Sequence, residues 1–213
     1  MEWINVFTTI AIIVVLFVVG MSLVIFLPKD KIFFRQIEPY IENIPKNREL
    51  MNEIRKLETD PNTEWINADY FSADTKIAPI IPFDYEEAIA AAEKNIAGMQ
   101  TAKEYFDYTL IKSVFLMKIK PHGQTKKKHG WVFNNTTLRY MYVLTAESFK
   151  EDNCVVWVDG IHRNLFTGDA YIYDASKEHI IYNKFEEPIT MLLIDFDRPK
   201  DIPEGYSNEL QPF

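Results

Sequence analysis

Four histidines, His122, His129, His162 and His179, are the residues of this chain whose chemistry is most readily read. A neutral imidazole offers a lone pair to a metal and changes charge near neutral pH. His122 follows Pro121 and precedes Gly123, at the mouth of the strand-like run LMKIK. His179 opens the run HIIYN, behind the polar turn YDASKE. The two lie 57 positions apart (179 minus 122), so no local motif such as H-E-x-x-H joins them. Histidines at the ends of separate strands can converge inside a small barrel and hold a metal there. Otherwise each is an ordinary surface or strand residue, and spacing alone leaves both alternatives open. His162, in DGIHRN, falls in a hairpin turn and is expected at the surface. The basic run KKKH, 126 to 129, reads as a solvated loop, with His129 as a spare ligand.

The elements that must position these residues follow from period. From residue 108 the runs YTLIKSVFLMKIKP, TLRYMYVLT, NCVVWVDG, DAYIYD, HIIYN and ITMLLIDFD are rich in Ile, Val, Tyr and Phe. Turn residues separate them, among them Asp159-Gly160 and Gly168-Asp169, which suits a sandwich or barrel. Tyr140 and Tyr142 alternate with Arg139 and Met141, so Arg139 and Met141 share one face of their strand. Trp131 and Trp157 read as packing residues. Upstream, Leu50, Met51, Ile54 and Leu57 recur at helical spacing after Pro45. NTEWINADYFSADTKIAPIIPFD looks irregular. DYEEAIAAAEKNIAGMQTAKEYF reads as one alanine-rich helix, with Asp84 as N-cap and Ile89, Ala92, Ile96 and Met99 on its inner face. Helices first and strands after make the class α+β.

Composition narrows the setting. The 213 residues carry 23 basic and 31 acidic side chains, a net charge of -8, which argues against a nucleic-acid partner. From Trp3 to Pro28 no residue is charged, and this run is long enough to span a bilayer as one transmembrane helix. No basic n-region or A-x-A-like cleavage site marks a signal peptide. Lys29, Lys31 and Arg35 follow the span and Glu2 precedes it, so the positive-inside rule puts the C-terminal domain in the cytosol. The single cysteine, Cys154, suits a reducing compartment. Asn-x-Thr sequons at Asn134 and Asn135 matter only if the domain lies outside. The expected organisation is a single-pass anchor over 1–28, with residues 3–27 in the lipid bilayer, a linker and short helix over 29–63, and a folded domain over 64–213.

IKPHGQT, TLRYMYVL, WVDG, YDASKEHIIYN and LLIDFDRP, in this order, resemble the aspartyl/asparaginyl β-hydroxylase family over about residues 64 to 205. The resemblance implies a double-stranded β-helix, a cupin-like jelly-roll barrel with flanking helices. It also implies an iron(II)- and 2-oxoglutarate-dependent oxygenase. His122 in KPHGQT and His179 in YDASKEH match the family's iron ligands. Gln124 stands where other non-haem iron oxygenases place a carboxylate, so water would complete the coordination. Asp174 and Ser176 are candidates to fix the tautomer of His179, or simply to form the turn.

The same resemblance assigns Arg139 and Ser113 to the carboxylates of 2-oxoglutarate. Two further family positions have changed. Ile189 replaces an arginine ten residues after the second histidine, and Met141 replaces the histidine of an LR-x-H run. Removing one partner of a buried ion pair costs about 3–5 kcal/mol, on the order of a hundred- to several-thousand-fold in affinity. Binding then needs a substitute cation, such as Lys112, Lys118 or Arg198. Two functions follow. One is a membrane-anchored hydroxylase acting on a protein or lipid-linked substrate. The other is a catalytically inactive relative serving as a membrane-associated structural or interaction protein, for example in a viral envelope or capsid. A third alternative, a jelly roll with incidental histidines, requires His122 and His179 to lie far apart.

Overall fold

The computed structural model describes residues 32–35, 37–82, 86–146 and 153–208. The apolar segment from Trp3 to Pro28 and the cap expected at Asp84 lie outside the described residues. Among the described residues no helix is long and apolar enough to cross a membrane.

The stretch expected to be a linker is part of the folded body from Ile32 onward. Strand β1 (Phe33–Phe34) opens it, and helices α1 (Pro39–Glu42) and α2 (Arg48–Thr59) follow. Asn47 caps α2 by accepting the Leu50 N–H at 3.2 Å. Leu50, Met51, Ile54 and Leu57 are buried, as their spacing requires. The alanine-rich run forms two helices, α3 (Glu86–Ile96) and α4 (Gln100–Phe106), rather than one. The break falls at Gly98, a poor helix former. The Glu53 carboxylate of α2 takes the Thr101 and Ala102 N–H groups at 3.0 and 2.8 Å, which fixes the start of α4 separately. The inner face of α3 is Ala88, Ala91, Ala92 and Asn95, and Ile89 is 38% exposed instead of inward. Asn95 sets this rotation: its amide donates to the Pro79 and Glu64 carbonyls and accepts the Glu64 N–H.

The remaining strands are β2 (Ile66–Asn67), β3 (Thr75–Ile81), β4 (Ile111–Ile119), β5 (Thr137–Thr145), β6 (Cys154–Val158), β7 (Ile161–Asn164), β8 (Ala170–Tyr173), β9 (His179–Asn183) and β10 (Ile189–Asp197). Strand β3 lies inside the segment that looked irregular. Its Pro79 precedes a register shift against β4, where a missing N–H is tolerated. A seven-stranded antiparallel sheet, in the order β1-β8-β5-β10-β4-β3-β2, faces a three-stranded one, β7-β6-β9. Together they form a jelly-roll sandwich with flanking helices. Met117, Met141, Leu193, Val156 and Ile181 fill the space between the sheets. Leu116, Leu192 and Tyr140 on the opposite face of the large sheet pack against Leu50, Ile54 and Phe106 of the helices.

Candidate functional site

Four adjacent strands of the large sheet bring four polar side chains to one level of the inner wall. Tyr173 on β8 pairs in register with Arg139 on β5, Arg139 with Asp195 on β10, and Asp195 with Ser113 on β4. The Arg139 guanidinium grips Asp195 through Nε and Nη2, both at 2.8 Å, and the Ser113 hydroxyl donates to the same carboxylate at 2.9 Å. Arg139 and Asp195 are 3% and 0% exposed, so the pair is held out of water. Burial alone would make Arg139 easier to deprotonate. Asp195 and Tyr173 beside it reverse that and raise its pKa. Burial also raises the pKa of the Tyr173 phenol, and the neighbouring Arg139 charge partly offsets that rise.

His179 faces the same interior, edge-on to the Tyr173 ring with centroids 5.8 Å apart. Its Nδ1 lies 2.8 Å from the Lys177 carbonyl, which only accepts, so Nδ1 carries the proton and Nε2 keeps its lone pair. Burial, and then the nearby Arg139 charge, lower its pKa to about 4, so the ring is neutral at physiological pH. The Lys177 carbonyl thus does the orienting work that Asp174 and Ser176 were candidates for. Those two form their own turn: the Ser176 hydroxyl and N–H donate to Asp174 Oδ1 at 2.6 and 3.1 Å. Arg198 anchors that turn, reaching Asp174 at 2.6 and 3.0 Å, and also donates to the carbonyls of Asn134, Thr137 and Pro203.

His122 is elsewhere. It sits in a turn with φ 54°, its ring is solvent-exposed, and its Nε2 pairs with Glu186 Oε2 at 3.0 Å. The segment from His122 to Lys128 runs antiparallel along β9. The His122 N–H donates to the Phe185 carbonyl, Gln124 lies opposite Tyr182, and Lys128 lies opposite His179. Six residues of extended chain therefore separate the two histidines along this edge, roughly 20 Å at about 3.3 Å per residue. The structure does not bring them together. Among the described residues no cluster of three His, Cys, Asp or Glu side chains is placed to hold a metal.

The basic run is exposed at Lys126, Lys127 and His129, as expected of a solvated loop, whereas Lys128, bridged to His179 of β9, is half-buried. Lys128 points into the barrel, its ammonium 5.1 Å from the Trp131 ring centre and 5.8 Å from that of Phe71. Lys127 points out, over Trp157 at 4.4 Å and paired with Glu178 at 3.0 Å. Lys126 donates to the Asp69 carbonyl, and the His129 ring lies 3.2 Å from the Ser176 carbonyl. The cations considered as substitutes stay outside the cavity: Lys112 pairs with Asp197 at 3.0 Å, Lys118 lies over Trp65 at 4.2 Å, and Arg198 holds Asp174. His162 is exposed on β7, and Trp131 is core. Cys154 is buried, which raises its thiol pKa to about 11.

The residues present do not fit the iron and 2-oxoglutarate that the family implies. The position facing His179 is a lysine, which in its charged form has no lone pair to give a metal. Arg139 and Ser113, the expected carboxylate anchors, already share the carboxylate of Asp195. Met141 and Ile189 are fully buried and apolar. The cavity bounded by Lys128, Arg139, Tyr173 and His179 measures about 10 Å³, room for one water molecule and not for a five-carbon diacid.

No curated protein matches this chain. Among solved structures it is similar to a Photorhabdus luminescens protein (12% identity, 66% of this chain and 86% of that one, TM-score 0.42). It is also similar to a cupin-2 domain from Rhodospirillum rubrum (9%, 70% and 78%, TM-score 0.41). A cupin 2 conserved barrel domain protein from Salinispora arenicola matches at 11% identity over 65% of this chain and 85% of that one, with TM-score 0.39. The family description of aspartyl/asparaginyl β-hydroxylases matches residues 84–199, more than half of the chain and all of the strands that build the interior row. On that match, this chain belongs to the aspartyl/asparaginyl β-hydroxylase family.

Proposed function

We propose that this chain is a member of its family that does not run the oxygenase reaction, and that its closed barrel serves as a rigid structural or interaction module tethered to a membrane. The observation that carries this reading is the Asp195 carboxylate seated on both Arg139 and Ser113. An incoming co-substrate carboxylate would have to displace a bidentate buried partner, and stripping one member from such a pair costs about 3–5 kcal/mol. The apolar span from Trp3 to Pro28 supports the tether, and the charges that follow it support a domain on the cytosolic side.

A second reading, retained hydroxylase chemistry on a protein or lipid-linked substrate, is favoured by one observation. The neutral His179 has its Nδ1–H fixed and its Nε2 lone pair uncommitted by that bond, as a metal ligand requires. Anaerobic titration of the full chain in detergent with iron(II), then 2-oxoglutarate, separates the two. The module reading expects no visible charge-transfer band and no heat of 2-oxoglutarate binding. A band that disappears in His179→Ala would establish the oxygenase instead.

A further inference from the structure

We infer that the face of the domain around Phe33, with Arg163, Arg35, Ile161 and Phe166, rests against an anionic lipid surface. This rests on the membrane tether proposed above. Between Pro28, where the apolar span ends, and Ile32, where the folded body begins, lie four peptide steps, at most roughly 14 Å of extended chain. A domain of this size has a radius of gyration of about 16 Å. So short a leash holds the β1 edge toward the bilayer.

The chemistry at that edge suits the headgroup region. The Arg163 guanidinium lies 5.1 Å over the Phe33 ring, and Tyr171 meets the same ring at 6.1 Å, edge-on. Strand β7 is the outer strand of the three-stranded sheet, and Ile161 and Arg163 share one of its faces. Ile161 is 39% and Phe166 37% exposed. Arg35 is exposed immediately after β1. The acids nearby are engaged: Asp169 accepts from the Phe166 N–H and the Tyr171 hydroxyl, and Asp159 lies 3.5 Å from Lys177. Aromatic and aliphatic groups interleaved with arginine on a membrane-proximal face match the preferences of the bilayer interface.

The test uses the full chain in phosphatidylcholine vesicles, with and without phosphatidylserine, containing a lipid-borne quencher. Cys154 is buried with a raised pKa, so an engineered thiol takes the fluorophore selectively. One label sits at Phe166→Cys. The reference label sits at Ile89→Cys on α3, which packs on β3, five strands from β1 and about 24 Å away at ~4.8 Å per strand. The expected result is quenching several-fold stronger at the first position than at the second, increased by phosphatidylserine and reduced by Arg163→Glu. Equal quenching at both positions, in a chain that floats with vesicles in high salt, overturns the docked face and leaves the tether standing. A chain that does not float overturns the tether and the docking with it.

Discussion

His179 and His122 carry the same imidazole, yet the fold treats them in opposite ways. His179 is buried, neutral and fixed by a carbonyl; His122 is exposed on a left-handed turn and pairs with a surface glutamate. The difference lies in what closes the barrel between them. The segment after His122 lies along β9, so the histidine is left at one end of that edge while Lys128 comes to stand opposite His179. A site made by two strands depends on register between them, and a shift of a few residues replaces one inward-facing side chain by another. Here the side chain opposite His179 is a lysine, in a wall where Arg139 and Asp195 already pair with each other.

The largest effect that sharpens this contrast is expected at the interior row. Arg139→Met strands the buried Asp195 charge and should cost about 3–5 kcal/mol in urea unfolding, a large part of a typical domain's 5–15 kcal/mol. Arg139→Met combined with Asp195→Leu should recover most of that loss. A single variant as stable as the parent would mean the row is not held as described. Next comes pH. The folded-state pKa of His179 is lowered from 6.5 to about 4, so between those values the unfolded chain binds more protons and stability falls as pH falls. The full depression corresponds to about 3 kcal/mol, present above pH 6.5 and lost on approaching pH 4. In His179→Gln the pH-stability curve should flatten across that window. The smallest effect is expected at the other histidine. His122→Asn keeps a residue that tolerates positive φ and loses only an exposed pair, so its stability should stay within about 0.5 kcal/mol of the parent. A loss as large as that at Arg139 would erase the distinction between the two histidines.

Much of this was legible from residue type and period. Strands β4 to β6 and β8 to β10 follow the Ile-, Val- and aromatic-rich runs, and Asp159-Gly160 forms its turn with φ 44° and 87°. The shared face of Arg139 and Met141 followed from alternation alone. The partner of Arg139 follows from the same alternation: Asp195 is in phase with the inward Met191 and Leu193, and an acid there requires a cation. Other features depended on long-range contacts. The rotation of α3 is set by Asn95 bonding to carbonyls 16 and 31 residues away in sequence. The inward turn of Lys128 exists only because the chain around it pairs with β9, and no local propensity encodes that pairing.

The two asparagines of the sequons clasp the segment around Ser207. Asn135 donates to the Ser207 carbonyl at 2.9 Å and accepts the Ser207 N–H at 2.7 Å, while Asn134 holds the Trp131 N–H and Thr137. Both asparagines are glycosylation acceptors by sequence, and both amides are consumed by the fold. A sugar on either amide would break these bonds and take the place of the segment around Ser207.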